Sequence, residues 1–226
     1  TYWTIDSAQM GLEMAQILAE LQLDEASILA AILYRAVREG RLSLAQVRKD
    51  FDDEVATLIE GVLRMAAINA IQNTSEEPVL GQREAQVDNL RKMLVSVIDD
   101  VRVALIKLAE RTAAIRAVKD APESKRTKVA REVFNIYGPL AHRLGIGHLK
   151  WELEDVAFRY LEPLAYQKIA TLLDEKRLAR QDYIADVAKT ITHELEAAGI
   201  DCEVNGRAKH IYSIWRKMKR KNIEFS

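Results

Sequence analysis

The chain has 226 residues, 49% of them hydrophobic and 30% charged, and a net charge of −1, which bounds it to one or two domains of an ordinary globular protein. The near-neutral balance excludes a general polyanion binder, and the single cysteine, Cys202, excludes an internal disulfide framework and a cysteine zinc site. No apolar run approaches the roughly 18 residues of a membrane span, and no signal peptide opens the chain, so the expected setting is the cytoplasm, without a membrane partner.

Four prolines, nine glycines and few aromatics point to a mostly helical body. Asp6 or Ser7 caps a first helix that carries Met10, Met14, Ile17, Leu18 and Leu21 at helical spacing. Asp24 caps a second, with Ile28, Ala31, Ile32 and Ala36 inward and Gly40 as its stop. Ser43 opens a short third helix to about Lys49, and Asp52 caps a fourth holding Val55, Leu58, Ile59, Val62 and Met65. Asn73 to Gln82, with Pro78 and Gly81, is the one clear loop of this half, and disorder is expected there. Helix resumes near Arg83, with Val87, Leu90, Leu94, Val97 and Ile98 in one stripe. Val101, Leu105, Leu108 and Ile115 continue it after a break at Asp99-Asp100. Pro122 starts the next helix, Gly138-Pro139 kinks or ends it, and Gly145 stops a short piece after that. Leu149 to Leu161 is another helix, and Pro163 starts a long one that bends near Arg180-Gln181 and ends at Gly199.

The last stretch carries the chemistry. Cys202 to Val204 is partly β-branched and reads as a strand, and Asn205-Gly206 is a turn pair. Ile211, Ile214, Trp215 and Met218 then recur on one helical face, with Lys209, Ser213, Arg216, Lys217 and Arg220 opposite. From Glu203 to Ser226 there are seven Lys/Arg and two acids, a local basic patch that suits a nucleotide, RNA or an acidic partner. A helix N-terminus beside Arg and Lys is a polyphosphate grip. A surface helix with a solvated basic face accounts for the same pattern. The expected division is an all-α domain over 1–160, a helical connector over 161–199, and the opening β-α element of a mixed domain over 200–226. Because the sequence starts without Met and ends without a stop signal, it reads as a piece of a longer protein.

Two strings identify a family. Ile136-Tyr137-Gly138-Pro139-Leu140-Ala141-His142-Arg143-Leu144-Gly145-Ile146, followed by Lys150-Trp151-Glu152-Leu153-Glu154-Asp155, resembles the long RelA/SpoT homologue family. Gly206-Arg207-Ala208-Lys209-His210-Ile211-Tyr212-Ser213 resembles the opening motif of its synthetase domain. The resemblance implies the stringent-response alarmone (p)ppGpp, which the family makes and degrades. It implies an HD-type, Mn²⁺-dependent hydrolase fold over 1–160, then an α+β, nucleotidyltransferase-like synthetase that moves pyrophosphate from ATP to the 3′-hydroxyl of GTP or GDP with Mg²⁺. Arg207, Lys209, Ser213 and Lys217 match residues that grip ATP. The family's Mg²⁺-binding aspartate, catalytic glutamate and guanine pocket are expected beyond Ser226. Its activator, a ribosome with uncharged tRNA, is expected to act through absent C-terminal domains.

Against the family's active hydrolases, the metal positions are altered. Their His-Pro pair is Met10-Gly11 here, their His-Asp is Tyr34-Arg35, and their Glu-Asp is Arg38-Glu39. Their Ala-Asp-Arg-Leu-His-Asn-Met-Arg is Ala109-Glu110-Arg111-Thr112-Ala113-Ala114-Ile115-Arg116, with Ala114 in place of the substrate-side Asn. The only histidines are His142, His148, His193 and His210, so residues 1–141 hold none. Arg35 and Arg38 repel a divalent cation and can pair with Glu39 or Glu110. The expectation is a pseudo-hydrolase of the RelA branch without Mn²⁺, kept as scaffold or as regulator of the synthetase. His142 reads as a buried structural histidine, and Lys150-Trp151-Glu152 as a packing and salt-bridge junction.

Overall fold

The computed structural model describes residues 6–72, 100–175 and 177–223. The loop expected over Asn73 to Gln82 and the helix expected from Arg83 to Ile98 lie outside the described residues. The chain divides into two units, Thr1–Ala157 and Phe158–Ser226.

The first unit is built from capped helices. In α1 (Ser7–Glu20) the Asp6 carboxylate accepts from the Ala8 amide at 3.0 Å, and in α2 (Glu25–Arg38) Asp24 accepts from the Ser27 amide at 2.8 Å. A reciprocal Ser43–Gln46 capping box opens α3 (Leu44–Asp50). Asp52 accepts from the Glu54 amide at 3.0 Å at the head of α4 (Asp53–Gln72), and Asp100 from the Arg102 amide at 2.8 Å at the head of α5 (Val101–Ala117). These caps fix where each helix starts, because each satisfies a backbone donor that the helix leaves open. A 3₁₀ turn (Val118–Asp120) leads to α6 (Glu123–Glu132), with Pro122 one residue ahead of the helix.

The expected kink at Gly138-Pro139 takes a different form. Val133–Tyr137 is a π turn, and α7 (Gly138–Arg143) continues through both residues. Pro139 has no amide to give to the turn before it, and one wide turn absorbs that loss without ending the helix. Gly145, at φ +75°, ends α7, and α8 (Gly147–Leu161) follows.

Two inward stripes differ from those expected. In α2 the buried set is Ser27, Ala30, Ala31 and Tyr34, and Ile32 is 36% exposed. At Gly11 of α1, an added Cβ would lie 2.8 Å from the Ile32 carbonyl oxygen, so α2 meets α1 there through its backbone. In α5, Val101 is 53% exposed, and burial runs round the helix from Val103 to Ile115, taking in Lys107, Glu110 and Thr112. The helix packs on α1, α2, α4 and α6, so it has no single solvent face and its apolar period is weak.

In the second unit α9 (Pro163–Glu175) and α10 (Arg177–Ala197) are helices, and α10 runs unbroken through Arg180-Gln181, where a bend is expected from the sequence. Gly199, at φ +74°, is the left-handed stop after α10. Residues 200–210 are neither helix nor strand, which corrects the strand expected at Cys202 to Val204. A strand exists only as a paired ladder, and no strand occurs among the described residues to pair with it. The last helix, α11 (Ile211–Lys221), starts at Ile211 with His210 as its N-cap residue.

Candidate functional site

In the first unit two of the positions singled out in the sequence, Tyr34 and Arg38, meet at one carboxylate, Glu110. Glu110, on α5, has a side chain 2% exposed. Its Oε1 accepts from Arg38 Nη1 at 3.1 Å and from Arg111 Nη2. Its Oε2 accepts from Arg111 Nε at 2.8 Å and from Lys107 Nζ at 2.7 Å. A carboxylate offers about four lone-pair directions, so cationic donors fill all of them. Arg111 also holds Glu132 at 3.0 Å. Tyr34 lies beneath this cluster, with the Arg38 guanidinium carbon and the Lys107 Nζ each 6.0 Å from its ring centre.

The electrostatics follow from burial and crowding. Burial pushes the Glu110 carboxyl up, but Arg111 and Lys107 outweigh it and hold the group below the usual carboxylate range. Burial pulls the Lys107 ammonium down from 10.5 to about 8, against the opposing pull of Glu110. The Tyr34 phenol is pushed up to about 12 by burial and then by Glu110, so it stays protonated at neutral pH.

The other positions singled out in the sequence make separate contacts. Arg35 pairs with Glu39 at 3.0 Å, and Glu39 also accepts from Ser7 Oγ at 2.6 Å and from Arg41. Met10 is buried and Ala114 half-buried, and neither brings a charged or strongly polar group. Among the described residues no three or more of His, Cys, Asp and Glu gather in a metal-holding group. Lys107, Arg111 and Glu132 were missed as members of the cluster. The i, i+3 spacing of Lys107 and Glu110 was the available signal.

His142 is exposed near the end of α7, which corrects its reading as a buried histidine: the buried face of that helix is taken by Gly138, Leu140 and Ala141. At the junction, Lys150 pairs with Glu154 at 3.3 Å. Glu152 pairs with Arg116, Nε to Oε1 at 2.5 Å, and Arg116 also reaches Glu13 at 3.3 Å, so α1, α5 and α8 are tied together.

In the second unit Ser213 and Lys217 lie one turn apart on α11, half-buried and exposed respectively. Arg207 and Lys209 are exposed and belong to the segment before the helix, so Lys209 is not on the helical face expected of it. Arg207 Nη1 lies 3.0 Å from His210 Nε2. Gly206 seats this segment on α10: an added Cβ would lie 2.5 Å from Ile184 Cγ2. The apolar face of α11 is anchored by Tyr212, which the periodicity reading omitted, and by Trp215, with ring centres 5.6 and 4.9 Å from Phe158. A cleft of about 270 Å³ on that face is lined by Ile169, Leu172, Trp215, Met218 and Ile223, away from the polar stripe. No helix among the described residues is long and apolar enough to cross a membrane.

Residues 4–147 match the family model described as HD domain. The chain belongs to the HD-domain proteins and, among them, to the RelA/SpoT homologue family. It is 48% identical over 215 residues to a GTP pyrophosphokinase of Escherichia coli strain K12 and 46% identical over 215 residues to one of Photobacterium angustum, in each case covering 95% of this chain and 28% of the relative. It is 38% identical over 212 residues to a guanosine-3′,5′-bis(diphosphate) 3′-pyrophosphohydrolase of Haemophilus influenzae, covering 94% of this chain and 30% of the relative. The chain thus spans less than a third of the length of these relatives.

Proposed function

We propose that this chain is the N-terminal region of a GTP pyrophosphokinase that transfers pyrophosphate from ATP to the 3′-hydroxyl of GTP or GDP, and that its HD domain is a pseudo-hydrolase. The saturated Glu110 carboxylate carries the second half of this reading. Three cations occupy the lone pairs that an Mn²⁺ ion needs, and Tyr34, Arg35 and Arg38 stand where ligands are expected. Hard divalent ions take oxygen and imidazole donors, and this donor set does not fit one. The relatives named GTP pyrophosphokinase support the first half.

In this reading residues 1–160 are the inactive HD-type domain, 161–199 the connector, and 200–226 the opening of the synthetase domain. Arg207, Lys209, Ser213 and Lys217 grip ATP: Arg207 by stacking its planar guanidinium on adenine or by pairing with phosphate, the lysines as point charges on the phosphates, and Ser213 as a hydroxyl donor near the head of α11. Mg²⁺, when bound, neutralises charge on the triphosphate. The residues of this chain bind and orient the donor nucleotide, while the base for the ribose hydroxyl and the acceptor pocket belong to sequence outside it. Activation by a ribosome with uncharged tRNA belongs to the same reading, again through sequence outside the chain.

The relative named as a pyrophosphohydrolase favours a second reading, residual hydrolysis, which needs Arg38 and Lys107 to leave Glu110. The test of the main reading is pppGpp synthesis from ATP and GTP by the full-length protein and by this chain. Synthesis by the first alone is expected, and synthesis by neither would refute it. A regulatory role for the HD domain predicts altered synthetase control when residues 1–140 are removed from the full-length protein. Unchanged control leaves the domain as scaffold.

A further inference from the structure

We infer that His210 is a positioning residue for the ATP grip: its imidazole holds the Arg207 guanidinium in place. The inference rests on the reading of Arg207 as an ATP ligand given above. His210 is the N-cap residue of α11, and its carbonyl accepts from the Ile214 amide at 3.0 Å, so its backbone is fixed by the helix. Its side chain makes no capping bond. It meets Arg207, three residues back, with Nε2 at 3.0 Å from Nη1. A guanidinium has only donors, so Nε2 is the acceptor and the ring carries its proton on Nδ1.

The contact ties an exposed loop arginine to a helix. Arg207 follows Gly206, whose backbone is seated against Ile184, so the residue is fixed on one side by a close backbone approach and on the other by the imidazole. The imidazole takes one Nη1 donor of the guanidinium. An arginine held this way loses less side-chain freedom when the nucleotide arrives. His210 contributes to ATP affinity without touching ATP.

The test uses the full-length protein and steady-state synthesis of pppGpp, with ATP varied. His210→Phe keeps the ring and removes the acceptor. His210→Gln supplies an oxygen near the position of Nε2. His210→Phe is expected to raise the KM for ATP roughly three- to tenfold, the scale of one hydrogen bond, with kcat changed less than twofold. His210→Gln is expected to stay within about twofold of the parent protein. The Arg207→Ala, His210→Phe pair is expected to be no worse than Arg207→Ala alone, as coupled residues require. Helical signal and melting temperature check that each variant folds. Equal KM values for the Phe and Gln variants, or additive losses with Arg207→Ala, would overturn the positioning role while leaving the grip intact. An Arg207→Ala protein with the parental KM for ATP would instead remove the reading on which the inference rests.

Discussion

Arg38 on α2 donates to the Glu110 carboxylate on α5 at 3.1 Å, and this contact joins two helices of the HD domain. Its two ends are not equivalent. The Arg38 side chain is 41% exposed and that of Glu110 is 2% exposed. Arg38→Met leaves Glu110 with Lys107 and Arg111, and solvent screens the lost pair, so a loss below about 1 kcal/mol is expected. Glu110→Ala leaves Lys107 buried without its acid, and about 3–5 kcal/mol is expected. Urea unfolding of both variants checks the asymmetry, and equal losses would contradict it.

Gly11 tests the close approach of α1 and α2. An added Cβ meets the Ile32 carbonyl oxygen at 2.8 Å and its Cα at 3.2 Å. Backbone cannot swing aside as a side-chain tip does, so Gly11→Ala is expected to lose about 1–3 kcal/mol through overpacking. The same measurement on Gly40→Ala, where no heavy atom lies within 4 Å but φ is +71°, separates crowding from backbone strain. Its expected loss is about 1 kcal/mol.

Lys107 gives the first unit an alkaline signature. Its folded value is about 8 and its ordinary value 10.5, so between them the unfolded chain binds more protons. Stability from this group therefore rises with pH from about 8 to 10.5, and is lost as pH falls through that window. Tyr34 acts in the opposite sense. Its folded value is about 12 against an ordinary 10.0, so its contribution is present below about 10 and declines as pH rises towards 12. Unfolding free energy measured against pH for the parent chain and Lys107→Met checks the first window. The variant should lack the rise, and an identical slope would contradict burial of a charged Lys107.

Much of the helical body is legible from local chemistry. Asp6, Asp24, Ser43 and Asp52 are short polar side chains ahead of apolar periodicity, and each caps the helix expected of it. What periodicity misplaces is what neighbours decide. Ile32 faces outward because Gly11 lets α1 approach the α2 backbone, and Val101 faces outward although its spacing puts it on the stripe. Lys107 is hard to read as a core residue because lysine is rarely buried unless paired, and its i, i+3 spacing to Glu110 does not by itself say that both side chains are buried. At Cys202 to Val204, β-branching signals strand, but a ladder needs a partner that local sequence does not name. The stripe on α11 and the residues Tyr34, Arg35 and Arg38 are plain in the sequence. That Arg38, Lys107 and Arg111 saturate one carboxylate is not.

Incubation of the chain with ppGpp and Mn²⁺, with pyrophosphate release followed by chromatography, tests the pseudo-hydrolase proposal most directly. No release above the metal-free control is expected, with no Mn²⁺ retained after desalting. Mn²⁺-dependent release would mean that Glu39, Glu110 and their neighbours shed their arginines to build a metal site, and that the HD domain is a working hydrolase.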